Sequence, residues 1–190
     1  MYRAIIFDFF DVIHSDPFKR WLKKYGYKQK GEFEESSRLV DIGHISEQEF
    51  YRQLSDLSGQ TVESIEAVFG DKQLIDQEMV DLIEVLGRHY KIGLLSNSSG
   101  EYLRPILQSY DIARFFDEIV VSAEIGMIKP RPEIFEHILE KMNLKAGEAI
   151  FIDDNPHNVA AAASLGIYSI VFTGEKALGS ELAKLGIRIK

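Results

Sequence analysis

The chain has 190 residues, 45% hydrophobic and 27% charged, enough for one sizeable core or for a core with a small inserted lobe. Its 22 Lys and Arg stand against 30 Asp and Glu, and the net charge of -8 argues against a nucleic-acid partner, which would need a basic face. The absence of cysteine excludes disulfides, thiolate metal sites and a cysteine nucleophile; with no leader pattern and no bilayer-length apolar run, a cytoplasmic location and no membrane partner are expected.

In chain order, Arg3 to Phe7 is a short apolar run of the kind that forms a buried strand. Four more strands are expected at Lys91–Ser96, Glu118–Ser122, Glu148–Asp153 and Tyr168–Thr173, with a weaker one at the terminal IRIK. Helical patterns separate them. Leu103, Ile106, Leu107 and Tyr110 share one face. Pro132 opens a helix that buries Ile134, Phe135, Ile138, Leu139 and Met142. The alanine-rich stretch NPHNVAAAASLG stops at Gly166. Strands alternating with helices predict an α/β fold, a Rossmann-like parallel sheet flanked by helices.

One segment breaks this alternation. Residues 14–76 carry helical stripes and no convincing strand. Phe18, Trp21, Leu22 and Tyr25 form one stripe, and Val62, Ile65, Val68 and Phe69 another. Between them Ser46 and Glu49 make a capping box ahead of Phe50, Leu54 and Leu57. A stretch this long is not a bare loop in a compact domain. The expected division is a core of residues 1–13 and 77–190 with a helical cap, 14–76, inserted after the first strand. The basic stretch FKRWLKKYGYKQK is expected to be a solvated helix face, and His14 and His44 to be exposed loop histidines.

In a parallel sheet, ligands bind beyond the carboxyl ends of the strands. The polar residues at those ends should therefore meet: Asp8; Ser96, Asn97 and Ser98; Lys129; Asp153 and Asp154. Such a set suits phosphoryl transfer, which asks mainly for positioning and charge neutralisation. Asp8 can attack phosphorus as a carboxylate nucleophile. Mg²⁺ held by Asp153 and Asp154 would relieve the repulsion between two anions, while Lys129 and Ser96 hold phosphoryl oxygens.

Four motifs in order, FDFFDVI, LLSNSS, IGMIKPRPEIF and IFIDDNPHNVAAAASLG, make the chain resemble the haloacid dehalogenase superfamily of hydrolases over its whole length. The resemblance implies Asp8 as nucleophile, the backbone carbonyl of Phe10 as a metal ligand, and Ser96 and Lys129 as the phosphate-binding pair, with Asn97 beside them. It implies Asp154 as the direct Mg²⁺ ligand with Asp153 close by, and Asn158 as a supporting residue. The substrate it implies is a small phosphorylated molecule.

Motif one departs from most phosphatases of the superfamily. The acid usual two residues after the nucleophile protonates the leaving oxygen and then assists water; here that residue is Phe10. Asp11 is one place too far along. Three readings stay open. Some sugar-phosphate phosphatases, with motifs like DLGNV, lack the same acid. The 2-haloacid dehalogenases carry an aromatic there and use no metal, although paired acids in the fourth motif make little sense without a cation. The third reading is a pocket that binds phosphate without turnover.

Overall fold

The computed structural model describes residues 1–25, 30–70 and 74–189. Its elements are β1 (Ala4–Phe7), α1 (Pro17–Tyr25), α2 (Lys30–Asp41), α3 (Glu47–Ser58), α4 (Val62–Phe69), α5 (Gln77–Gly87), β2 (Lys91–Ser96) and α6 (Gly100–Ser109). They continue with β3 (Glu118–Val121), α7 (Ser122–Ile125), α8 (Pro132–Met142), β4 (Ala149–Asp153), α9 (Pro156–Ser164), β5 (Tyr168–Val171) and α10 (Glu175–Lys184). The five strands form one parallel sheet in the order β3-β2-β1-β4-β5.

Every residue of β1 and β4 is buried, so neither strand alternates polar with apolar. That is the signature of a parallel sheet covered on both faces. Ile5, Phe7, Ile92, Leu94, Ile150 and Ile152 face one way and pack with residues of α5, α6 and α10. Ala4, Ile6, Leu95 and Phe151 face the other way, against α8 and α9. Gly93 lies on this second face, where a Cβ would come within 2.9 Å of Met142 Sδ. The missing side chain lets α8 lie close on the sheet.

The IRIK expectation is corrected: among the described residues the sheet has five strands, and Ile187 belongs to none. The amide of Ile187 donates to the Leu182 carbonyl and closes the end of α10, where Gly186 takes φ +72°. Its apolar side chain packs into the core from there. Two strands also end earlier than expected, at Val121 and Val171, because Ser122 opens α7 and the chain leaves the sheet after Val171.

Helices α1 to α4 bury their own cluster, with Trp21, Phe33, Leu54 and Ile65 fully enclosed. The chain leaves and re-enters the sheet layer side by side: Ser15 N donates to Leu74 O at 2.9 Å and Asp76 N to Ile13 O at 2.8 Å. A further link is Tyr102 of α6, whose hydroxyl donates to the Phe69 carbonyl at 3.0 Å. The end of α2 touches the core directly, since Ser122 Oγ donates to the Asp41 carbonyl.

Gly43 makes that last contact possible. It sits at φ +79°, and a Cβ there would lie 2.7 Å from the Ala123 carbonyl oxygen. Gly43→Ala is therefore expected to cost about 1–3 kcal/mol, from left-handed backbone strain and the forced retreat of α2. A chemical-denaturation midpoint checks this; an unchanged midpoint would mean that the end of α2 is not held against α7.

Candidate active site

The carboxyl edge of the sheet gathers residues from four connections. β1 ends at Asp8, which is 6% exposed, and β4 ends at Asp153, which is fully buried. The loop between α7 and α8 delivers Lys129, 3% exposed. Its ammonium lies 2.7 Å from Asp8 Oδ1 and 2.8 Å from Asp153 Oδ2, and donates to the Leu95 carbonyl at 2.8 Å. Three acceptors match the three N–H bonds of an ammonium, so this buried cation is fully satisfied.

The loop is fixed by Asn97. Its side-chain amide donates to the Lys129 carbonyl at 3.0 Å, and its oxygen accepts from the Lys129 amide at 2.9 Å. Asn97 thus positions Lys129. Ser96 ends β2, and its hydroxyl is buried with no hydrogen-bond partner. A buried hydroxyl left unmatched costs free energy unless a ligand meets it. Asp153 is held by the Asn155 amide at 2.8 Å and by Asn158 Nδ2 at 3.0 and 3.2 Å.

Oxygens of Asp8, Asp153 and Asp154 all lie within 4.8 Å of one another. Burial pushes the Asp8 carboxyl up, to about 7, against the pull of Lys129 and with the Asp153 charge adding to the rise. Lys129 is raised as well: burial would lower it, but Asp8 and Asp153 hold its proton. Asp154 faces a second cation, the ammonium of Lys19 on α1, at 2.8 Å. The carbonyl of Phe10 accepts no hydrogen bond among the described residues.

These groups open into a cavity of about 800 Å³, mouth included, between the sheet edge and the helical layer. The rings of Phe10, Phe18, Phe50, Phe69 and Tyr102 line it. So do Asp16, which follows motif one, and Ser37, Asp41 and Glu47, which the sequence did not single out for this site. Ser96 lies beneath that lining, while Asn97, Lys129 and Asp154 reach it.

Two expectations change, those for His14 and Lys19. His14 is not an exposed loop residue; it is 2% exposed and stacks on Phe9 with ring centroids 5.1 Å apart. His44 is exposed, as expected, and stands outside the cavity lining. Lys19 is not simply part of a solvated face: it bridges Asp11 at 2.7 Å and Asp154. Lys23 and Lys24 are exposed, and residues 26–29 of the basic stretch lie outside the described residues. Asp11 takes φ 55° and turns its carboxylate to Lys19 and to the Asp16 amide, 2.8 Å away. It does not stand in for an acid at Phe10.

The profile of the haloacid dehalogenase-like hydrolases matches residues 5–172, and the chain belongs to that family of hydrolases. A D-ribitol-5-phosphate phosphatase of Bacteroides thetaiotaomicron is 29% identical over 74% of this chain and 70% of its own length. A sesquiterpene phosphatase of Aspergillus oryzae is 30% identical over 80% of this chain and 79% of its own. Among solved structures, a HAD family enzyme of Bacteroides thetaiotaomicron in complex with magnesium and inorganic phosphate shares the fold, with a TM-score of 0.72. That enzyme is 24% identical, covering 92% of this chain and 96% of that one. Among the described residues, no helix is long and apolar enough to cross a membrane.

Proposed function

We propose that this chain is a Mg²⁺-dependent phosphatase that releases inorganic phosphate from a small phosphorylated metabolite in the cytoplasm, through a phosphoryl group carried by Asp8. The observation that carries the proposal is the arrangement around Lys129: a buried ammonium between Asp8 and Asp153, next to a buried Ser96 hydroxyl without a partner. A phosphoryl group bound at this edge would give Ser96 its missing acceptor and would set phosphorus before Asp8.

The acid trio supports a cation there. The oxygens of Asp8 and Asp154 and the free Phe10 carbonyl are hard donors of the kind Mg²⁺ takes. Asp154 already draws an ammonium. Asp153 supports the set from behind, its oxygens taken by Lys129, Asn155 and Asn158. When bound, the metal would supply the positive charge that offsets repulsion between Asp8 and the phosphoryl oxygens.

The chain's own residues do the rest. Burial raises the Asp8 carboxyl, and Lys129 works against that rise, favouring the ionised form, and offers charge to a phosphoryl oxygen. An Asp8 oxygen bonds to phosphorus as the bond to the alcohol oxygen breaks, and water then cleaves the acyl phosphate. The layer α1 to α4 serves as the cap, excluding bulk water from the cavity. Its aromatic rings suit an alcohol portion that presents an apolar face, while Ser37 offers a hydrogen bond to a hydroxyl group. Phosphatase activity in the two curated relatives agrees with this reading.

Phosphate release from a panel of sugar, polyol and prenyl phosphates tests it. Release should vanish on chelation of divalent ions and return with Mg²⁺. Turnover of 2-haloacids without metal, and no phosphate release, would replace this reading with a dehalogenase.

A further inference from the structure

We propose that Asp41, at the end of α2, is the acid and base of the reaction, working from the cap in the place that Phe10 leaves without a carboxyl group. The inference rests on the phosphatase reading above. An alcohol leaves phosphorus badly as an alkoxide, so a proton must reach the leaving oxygen. The site must also hold a group that can take a proton from the attacking water.

The other acids near the cavity are committed. Asp11 is tied to Lys19 and to the Asp16 amide. Asp16 caps α1, accepting from the amides of Phe18 at 2.8 Å and Lys19 at 3.1 Å. Glu47 accepts from the Tyr51 hydroxyl at 3.2 Å. Asp153 is enclosed by its own partners, and Asp154 pairs with Lys19. Neither His14 nor His44 lines the cavity. Asp41 does line it, together with Asp8 and Lys129, and among the described residues no donor is hydrogen-bonded to its carboxyl group.

Its position is set by the core. The Ser122 hydroxyl holds the Asp41 carbonyl, and Gly43 lets the backbone rest against Ala123. These contacts fix the backbone of Asp41 against the core, at the cavity that Asp8 and Lys129 also line, and leave its carboxyl group without a hydrogen-bonded tie among the described residues. An acid as the last residue of a helix also opposes the helix dipole, which favours its neutral form. Burial raises the group to about 7, aided by the charge of Asp16 and, more weakly, of Asp8, with Lys129 acting against them.

The steps balance. Asp8 Oδ bonds to phosphorus, the P–O bond to the alcohol breaks, and the departing oxygen takes the Asp41 proton. Water then attacks phosphorus, the P–O bond to Asp8 breaks, and the proton lost by water returns to the Asp41 carboxylate.

The test compares the full-length protein with Asp41→Asn and Asp41→Ala on two phosphomonoesters, an alkyl phosphate and p-nitrophenyl phosphate, in saturating Mg²⁺. Asn keeps the shape and the backbone tie to Ser122. Leaving-group release is timed in the first turnover. The expected result is a loss on the order of 100-fold for the alkyl phosphate in both variants. Release of p-nitrophenolate, a stable anion that needs no proton, should fall far less. Equal losses on the two esters, or no loss on either, would overturn the role of Asp41 while wild-type turnover left the phosphatase reading intact. No phosphate release by the wild type from any ester would overturn both.

Discussion

Asp8→Asn is expected to lower phosphate release by roughly 10⁴-fold or more, the scale of losing a covalent nucleophile. The loss should fall on kcat, because the groups that would bind phosphate remain. Lys129 keeps its contacts to Asp153 and Leu95, and an Asn oxygen can still accept from the Phe9 amide that now meets Asp8 at 2.7 Å. The substitution also removes a buried carboxylate whose charged form is opposed by its surroundings. Thermal stability should therefore stay near that of the wild type. A kcat within about tenfold of wild type would remove Asp8 from the chemistry.

Lys129→Met should fail differently, by losing stability as well as activity. It leaves Asp8 and Asp153 side by side at the sheet edge with no ammonium between them. Breaking a buried pair in this way costs about 3–5 kcal/mol, since the uncompensated charges stay buried. For a chain of this size that lowers Tm by roughly 10 °C. Mg²⁺ should recover part of the loss, because a second cation relieves the same carboxylates. An unchanged Tm, or one indifferent to Mg²⁺, would show that the two acids do not depend on Lys129 for their charge balance.

The fold was legible where burial left a pattern. β1 and β4 are covered on both faces, so their apolar runs stand out, and the acids that end them are conspicuous. Asp8, Ser96, Asn97, Lys129, Asp153 and Asp154 could all be placed at one edge from strand order alone, since parallel strands send their carboxyl ends the same way. The terminal IRIK misled because Ile187 is buried, and Ile189 partly so, without hydrogen bonding to a neighbouring strand, and periodicity does not tell the two apart.

The share of helices α1 to α4 in the candidate site was less legible. Lys19 reads as one more lysine on a basic helix, and its span from Asp11 to Asp154 exists only because α1 packs over the sheet edge. His14 reads as a polar loop residue, yet it lies in an aromatic stack with Phe9. Asp41 was not legible, because no helix ending there was expected; only the structure shows it as the last residue of α2, where an acid runs against the dipole preference.

The central claim is that phosphate passes through Asp8. It is tested most directly by acid-quenching the protein during turnover of a ³²P-labelled phosphomonoester in Mg²⁺ and mapping the label to a peptide. Label on the peptide that contains Asp8, absent when the metal is chelated and absent in Asp8→Asn, is the expected result. Steady release of phosphate with label on no peptide, or on a peptide without Asp8, would contradict the account.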